Sequence, residues 1–424
     1  IPNYAFDTKK IPYIHGLHEK VSYATPVINE VEETSNSSLE LTDEKISEYI
    51  VNLLVYHLGI DKSDIDENTN LLTLGLSSLN GVKIVGDIKK HFNVEINLND
   101  FFNNCTVSGW KELLKGLTVS NSADKQVNQV TIDEQHRYDT FDLNDIQYAY
   151  WAGRDNKNML LSNNACCTYF ELDMPNLDIE KFKHTLKCLE QRHDMLRCRM
   201  NKDAKQYIVK DEYSTVVVYD YKSISDMQKH LDNIRTTMSY EILPIDKPMF
   251  KVAITKLDDI NYRIHFSIDF MIADAMSLYI FWKDMGKLYN GEILEPLTIT
   301  YKDYLNYLNN SSDIKAKHDV DKKYWLSKIE DFPKSPELPF KSSEFVDNKH
   351  KFVRRRKNIN PEQWKKFTQN CAKYGLTPSS ALFTLYAEVL SAFGGGSSFA
   401  IMMTVFNREN INKDVQKIIG DFTK

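Results

Sequence analysis

The sequence is poor in the features that would place it in several large classes. It has six cysteines, Cys105, Cys166, Cys167, Cys188, Cys198 and Cys371, and no CxxC pair among them. That spacing offers neither a disulfide framework nor a metal site, and it points to reduced, buried thiols in a cytoplasmic protein that binds no metal. No apolar run is long enough to span a bilayer, and nothing at the start resembles a signal peptide. Positive charge is not in excess: 53 Lys and Arg face 59 Asp and Glu, a net charge of −6. The footprint of a nucleic-acid binder is therefore missing, and membrane partners are not expected either. The one basic run, Arg354 to Lys357, reads as a solvated face. Gly394–Ser398 lacks the lysine and helix start of a phosphate loop and reads as a turn before a strand. No internal repeat is visible. The chain opens on Ile1 instead of methionine, from which excision from something longer is expected.

What is present is ordinary globular material, 42% hydrophobic and 26% charged, with room for about three units of domain size. Residues 1–40 contain prolines and then turn polar at Asn29–Ser38, a linker composition. A compact helical unit is expected over 41–117. Thr42, Asp43 and Glu44 supply a cap and first-turn charge, and Ile46, Ile50, Leu53, Leu54 and Leu58 recur at helical spacing. A loop rich in Asp and Asn follows, then a helix over Ser78–His91, a helical turn near Asp100–Phe102, and a last helix from Thr106 that carries Trp110, Leu113 and Leu114. A second polar linker covers 118–138. From Asp139 strands and helices alternate, with helices expected at Ile179–Gln191 and Pro361–Tyr374 and a hairpin over Lys251–Asp269. Strand alternation puts Ile264, Phe266 and Ile268 on one face and His265, Ser267 and Asp269 on the other.

Two stretches carry chemistry. In Leu71–Val85 a serine stands at the first turn of a helix, behind a glycine-containing loop. On the residues alone Ser78 is either an N-cap or an exposed hydroxyl whose helix N-terminus suits a phosphodiester. Gly75-Leu76-Ser77-Ser78-Leu79 resembles the L-G-x-D/H-S-L motif of the acyl and peptidyl carrier proteins of polyketide and nonribosomal peptide synthases, with Ser77 where Asp or His is usual. The resemblance implies a small all-α four-helix bundle, phosphopantetheine held covalently on Ser78 by a phosphopantetheinyl transferase, and an apolar patch for partner enzymes at Leu79 and Val82. Ile1–Ile14 resembles the linker that follows ketosynthase and acyltransferase regions, which implies an upstream acyl-loading module of that kind.

The second stretch is His265–Leu278, where two carboxylates lie five residues apart among apolar neighbours. That spacing fits one face of neither a strand nor a helix, so Asp269 is expected to end a strand and Phe270–Ala273 to form a tight loop. Asp274 then caps the helix that carries Leu278, Phe281, Trp282, Met285 and Leu288, with Ser277 three residues on. Asp274 is read as structural. Asp269 is left with an open cleft position and is the carboxylate expected to meet substrate.

This loop resembles that of peptide-synthetase condensation domains, which carry H-H-x-x-x-D-G, and more closely the heterocyclisation domains, which carry D-x-x-x-x-D. Phe141–Arg154, Arg192–Arg197, Pro336–Phe340, Thr377–Gly394, Phe406–Arg408 and Gly420–Thr423 match further motifs of that family in order. The resemblance implies an α/β chloramphenicol-acetyltransferase-like fold, with an N-lobe over 139–345 and the start of a C-lobe over 346–424. It implies condensation of an acyl thioester with Cys, Ser or Thr on a downstream carrier loaded by an adenylation domain, then cyclodehydration to a thiazoline or oxazoline. Asp269 and Asp274 stand at the motif carboxylates, which the resemblance makes the catalytic candidates, as base for the attacking side chain or acid for the departing oxygen, and Ser277, Arg154, Asp421 and Thr423 are further candidates for contact with substrate or for structural support. His193 is expected to be hydrogen-bonded in place. Family members place a further functional Thr and Asp beyond the Gly420–Thr423 motif, so this chain alone is expected to lack cyclodehydration activity. An amide-forming condensation domain and a carrier fragment without catalysis are the alternatives.

Incubation with coenzyme A and a phosphopantetheinyl transferase is expected to add one phosphopantetheine to the wild-type chain and none to Ser78→Ala, read by intact-protein mass.

Overall fold

The computed structural model describes residues 4–5, 43–76, 78–92, 94, 96, 98–119, 130–154, 166–338, 357–374, 376–404, 408–409 and 411–423. Most of the expected N-terminal linker, Thr42, Ser77, Phe406 and Asn407, and the side chains of Ser78, Leu79 and Val82 lie outside the described residues. Among the described residues two large hydrophobic cores form, one from residues between 46 and 114, the other from residues between 141 and 422, with a small third cluster of Tyr169, Met238 and Ala253 beside the second.

The first core belongs to α1 (Asp43–Leu58), α2 (Ser78–Phe92), α3 (Leu98–Asn103) and α4 (Val107–Val119). Helical spacing buries Ile46, Ile50 and Leu54 of α1 against Ile84 and Ile88 of α2. Trp110 of α4 stacks on Phe101 of α3 at 3.8 Å between ring centroids, and its indole N–H donates to the Phe101 carbonyl at 2.9 Å. That double contact fixes the expected helical turn as a helix in its own right. Between α1 and α2 the turn Leu71–Gly75 ends on Gly75, whose φ of +98° lies in the region that favours glycine. The turn buries Leu71 and Leu76 and delivers the chain to the start of α2 at Ser78.

The second core surrounds a mixed sheet of β1 (Tyr4–Ala5), β3 (Cys167–Pro175), β8 (Asn261–Asp269), β7 (Phe250–Lys256) and β6 (Val216–Asp220), in that spatial order. A smaller sheet joins β2 (Phe141–Asp142), β5 (Lys205–Ile208) and β4 (Cys198–Met200). The hairpin β7–β8 is the one expected, and it sets Phe250 opposite Ile268. On one face lie α6 (Ile179–Arg192) and α8 (Ala275–Tyr289). Phe266 touches the rings of Phe281 and Trp282 from α8, at 4.8 and 5.2 Å.

The opposite face of β8 is not solvated. Helix α7 (Met227–Tyr240) covers it, packing Met238 with Tyr169 and Ala253, so the whole run Ile264–Asp269 is buried. The polar groups there are satisfied internally, as buried polar groups must be. His265 meets the Tyr169 hydroxyl at 2.8 Å and Thr255 at 3.0 Å, Tyr169 donates to Glu171, and Arg235 of α7 grips Glu171 with two bonds. Burial drives the His265 pKa down to about 3, so the ring serves this network neutral.

Two expectations change. The strand foreseen after Gly394–Ser398 does not form among the described residues, because one backbone bond, Ala400 N–H to Lys334, replaces a ladder. The segment 411–423, expected with the second lobe, inserts Ile411, Val415, Ile418, Ile419 and Phe422 into the core shared with β7, β8 and α8. By contrast α10 (Ser312–Leu326), α11 (Pro361–Lys373) and α12 (Pro378–Leu390) leave Trp325, Trp364 and Tyr386 exposed. No helix of the described residues is long and apolar enough to cross a membrane.

Phe266 is fully buried among the rings of Phe170, Phe250, Phe281 and Trp282. Phe266→Ala is expected to cost about 3–5 kcal/mol in denaturant unfolding.

Candidate active site

The loop after β8 is built by hydrogen bonds from all sides. Asp269 ends the strand, and the Met271 N–H donates to its Oδ1 at 3.0 Å, turning the chain into the buried run Met271–Ala273. Helix α5 (Asp145–Arg154) is fastened to this loop at both ends. At its start Asn144 and Gln147 exchange side-chain and backbone bonds, and the Gln147 amide donates to the Met271 carbonyl at 2.6 Å. At its end Arg154 donates to Asp269 Oδ2 at 2.8 Å and to the Leu243 carbonyl at 2.9 Å. Asp269 is thus fully buried, and the open cleft position expected for it is filled by Arg154. Burial raises the Asp269 carboxyl, and Arg154 and the Met271 N–H pull against that rise.

Asp274 is the N-cap of α8. Its Oδ1 accepts from the Ser277 N–H at 2.6 Å and lies 2.7 Å from the Ser277 hydroxyl. Arg408 reaches the same carboxylate at 3.2 and 3.3 Å, and also donates to the carbonyls of Val415 and Ile418. Its guanidinium lies over the Phe422 ring, 3.8 Å from the centroid. The Ser277 hydroxyl accepts from the Gly420 N–H at 3.1 Å, and the Asp274 N–H donates to the Gly420 carbonyl. A carboxylate, a serine and an arginine thereby sew the loop to residues 408–423.

That stitching brings Asp421 beside the loop. Its carbonyl accepts from the Asn144 amide at 2.8 Å and from the Tyr301 hydroxyl at 2.5 Å, and its Oδ1 accepts from the Thr423 N–H at 3.0 Å. Gly420 is obligatory here, since a Cβ would stand 2.3 Å from the Tyr301 ring. Tyr150 and Cys166 complete the neighbourhood, the thiol bonded to the phenol and both within electrostatic reach of Asp269 and Asp421. Asp269, Asp274, Ser277, Arg154, Asp421 and Thr423 therefore converge. Ser78 lies in the other unit, at the start of α2, and His193 lies buried at the C-cap of α6, its Nε2 3.0 Å from Asp284 Oδ2. Arg408, Asn144 and Gln147 lay inside quoted motifs without being singled out. Tyr301, Tyr150 and Cys166 had no local signal strong enough to find them.

The profile of the condensation domain matches residues 137–424, more than half of the chain. The chain belongs to the condensation-domain family. The phosphopantetheine attachment site profile matches residues 48–114, so the family domain follows a carrier domain. Phenyloxazoline synthase MbtB of Mycobacterium sp. (strain MCS) is 28% identical over 369 residues, 86% of this chain and 31% of that protein. Bacitracin synthase 1 of Bacillus licheniformis is 28% identical over 376 residues, 86% of this chain and 7% of that protein. The chain thus spans less than a third of these relatives. Among solved structures, the EpoB cyclization-docking bidomain from Sorangium cellulosum aligns with a TM-score of 0.63 at 22% identity, over 90% of this chain and 72% of that one. The fold is the chloramphenicol-acetyltransferase-like one expected.

The residues present fit the phosphopantetheine that a carrier domain holds. The start of α2 has no acidic residue in its first turn, so an anion attached at Ser78 meets no competing carboxylate there.

Removing one member of a buried ion pair strands the other. Arg154→Ala is expected to lose about 3–5 kcal/mol of unfolding free energy. Adding Asp269→Asn is expected to recover most of that loss in the same denaturant titration.

Proposed function

We propose that this chain is the carrier and heterocyclisation segment of a peptide assembly line, joining an acyl group to Cys, Ser or Thr and closing the ring with loss of water. The observation that supports this reading most is the loop Asp269–Asp274. Where an amide-forming condensation domain has two histidines, this chain has Asp269, bound to Arg154, and Phe270, which moves no proton. The fifth residue on, Asp274, is spent on capping α8 and holding Arg408. The loop is therefore a scaffold in the D-x-x-x-x-D manner, built of carboxylates in place of an imidazole base.

In this reading the carrier covers 41–117, 118–138 is the linker, and the heterocyclisation domain runs from 139, with its first lobe over 139–345, the start of the second from 346, and residues 411–423 packed into the core of the first. Ser78 holds the phosphopantetheine. When bound, that group supplies a long arm ending in a thiol on which the acyl group rides. The partners are a phosphopantetheinyl transferase, an upstream acyl-loading module, and a downstream adenylation domain with its own carrier. The name of one relative, a phenyloxazoline synthase, fits a five-membered heterocyclic product.

The test uses the assembly-line protein that contains this chain, with a loaded donor and cysteine on the acceptor carrier. The product is expected to be one water lighter than the linear amide, read by mass of the released acyl group. A linear amide as sole product would return the domain to the amide-forming class. Loading of Ser78 with no condensation at all would leave a carrier that only presents its cargo.

A further inference from the structure

The first turn of α9 (Tyr301–Asn310) serves two neighbours. Tyr301 holds the site, its hydroxyl bound to the Asp421 carbonyl. The next two residues grip the chain that arrives from the carrier. Lys302 donates to the carbonyls of His136 and Asp139, the second at 2.9 Å, and Asp303 Oδ1 accepts from the Asp133 N–H at 3.2 Å. Two further grips lie to either side. Arg137 donates twice to Asp194, at 2.8 and 2.9 Å, and the Asn412 amide donates to the Val130 carbonyl at 2.7 Å. Lys302, Asp303, Asp194 and Asn412 are all buried, so the anchors are fixed parts of the domain.

Composition makes the whole of 118–138 a linker, and the condensation-domain match begins only at 137. We infer that residues 130–139 are instead a fixed post of the condensation domain, and that the carrier is suspended from Val130. The inference rests on the carrier and condensation domains alone, and holds whether the product is a ring or a linear amide. Helix α4 ends at Val119, so ten residues, 120–129, separate the carrier from the post. At ~3.6 Å per residue that tether keeps Val119 within ~40 Å of Val130. A tether that ran on to β2 at Phe141 would be twice as long and reach ~80 Å. Because one helical turn grips both the post and the site, the point of suspension and the place of reaction keep a constant spacing.

Polar bonds carry this attachment. Most side chains of the post are exposed. A cavity of about 420 Å³ lies between it and the domain, lined by Ile132, Glu134 and Arg137 on one side and by Gln191, Leu297 and Ile419 among others on the opposite one. With so little apolar contact, removal of the grips is expected to free the segment while the domain stays folded. The concentration that a tethered group presents to its target falls roughly as the −3/2 power of tether length, so doubling the tether lowers it ~3-fold.

Two measurements test this. In hydrogen exchange of the full chain, the amides of Asp133 and Asp139 are expected to be protected in the wild type. The double variant Arg137→Ala, Lys302→Met is expected to lose that protection while strand β8 keeps its own. In the assembly-line protein, the acyl group on Ser78 then competes with an isotopically heavy copy supplied as free acyl-pantetheine. The heavy concentration that gives equal amounts of both products is expected to fall ~3-fold in the double variant, with the rate from the heavy copy alone unchanged. Replacing residues 130–138 by glycine and serine at constant length leaves every anchor of the domain in place and is expected to give the same two results. Amides at 133 and 139 that exchange at the free-chain rate in the wild type overturn the inference, as does a competition point that both variants leave unmoved. Neither readout depends on whether water is lost, so the post and the ring closure fail separately.

Discussion

The buried contact between Arg408 and Asp274 holds the second unit to its chemistry. Arg408 is almost wholly removed from water, and its charge is met by one carboxylate, two carbonyls and the face of Phe422. Such a pair adds little net stability over an apolar packing of the same volume, but it is unforgiving of the loss of either partner. What it fixes is arrangement. The loop after β8, the start of α8 and the returning segment 411–423 have no continuous ladder between them, and this ion pair with Ser277 aligns all three. The position of Asp421 follows from it.

The two units use helix starts for opposite purposes. At α8 the first turn is closed from within, since Asp274 accepts the Ser277 N–H and receives Arg408. At α2 the chain arrives through the left-handed Gly75 and begins the helix on Ser78, without an acidic residue in the first turn. The positive end common to all helix starts is thus met by a carboxylate in one unit and by no acidic side chain in the other. The carboxylates divide as well: Asp269 and Asp274 are anchored by arginines, while Asp421 is anchored through its backbone and leaves one buried side-chain oxygen without a hydrogen-bond partner.

Much of this was legible beforehand because the signals were local. The β7–β8 hairpin, the cap at Asp274 and the helices from Asp43, Ser78 and Ile179 follow from turn residues, capping chemistry and apolar spacing, all read within a dozen residues. The cleft assigned to Asp269 was misread because alternation gives the side of a strand but not what covers that side. Arg154, 115 residues away, and helix α7 decide it. Likewise no local pattern tells that Ile411–Phe422 returns to the first core, or that Tyr301 lies against Gly420. Those contacts are set by the topology that closes around the sheet.

The meeting of Gly420 with the Tyr301 ring bears on how this domain can drift over generations. With no space for even a methyl group, the backbone at 420 offers mutation nothing to explore, and Tyr301 is bound to the neighbouring carbonyl by its hydroxyl. A change in either residue would displace Asp421 and the bonds that Asn144 and Tyr301 make to its carbonyl. Gly420, Tyr301 and Asp421 can therefore change only together, as a single block.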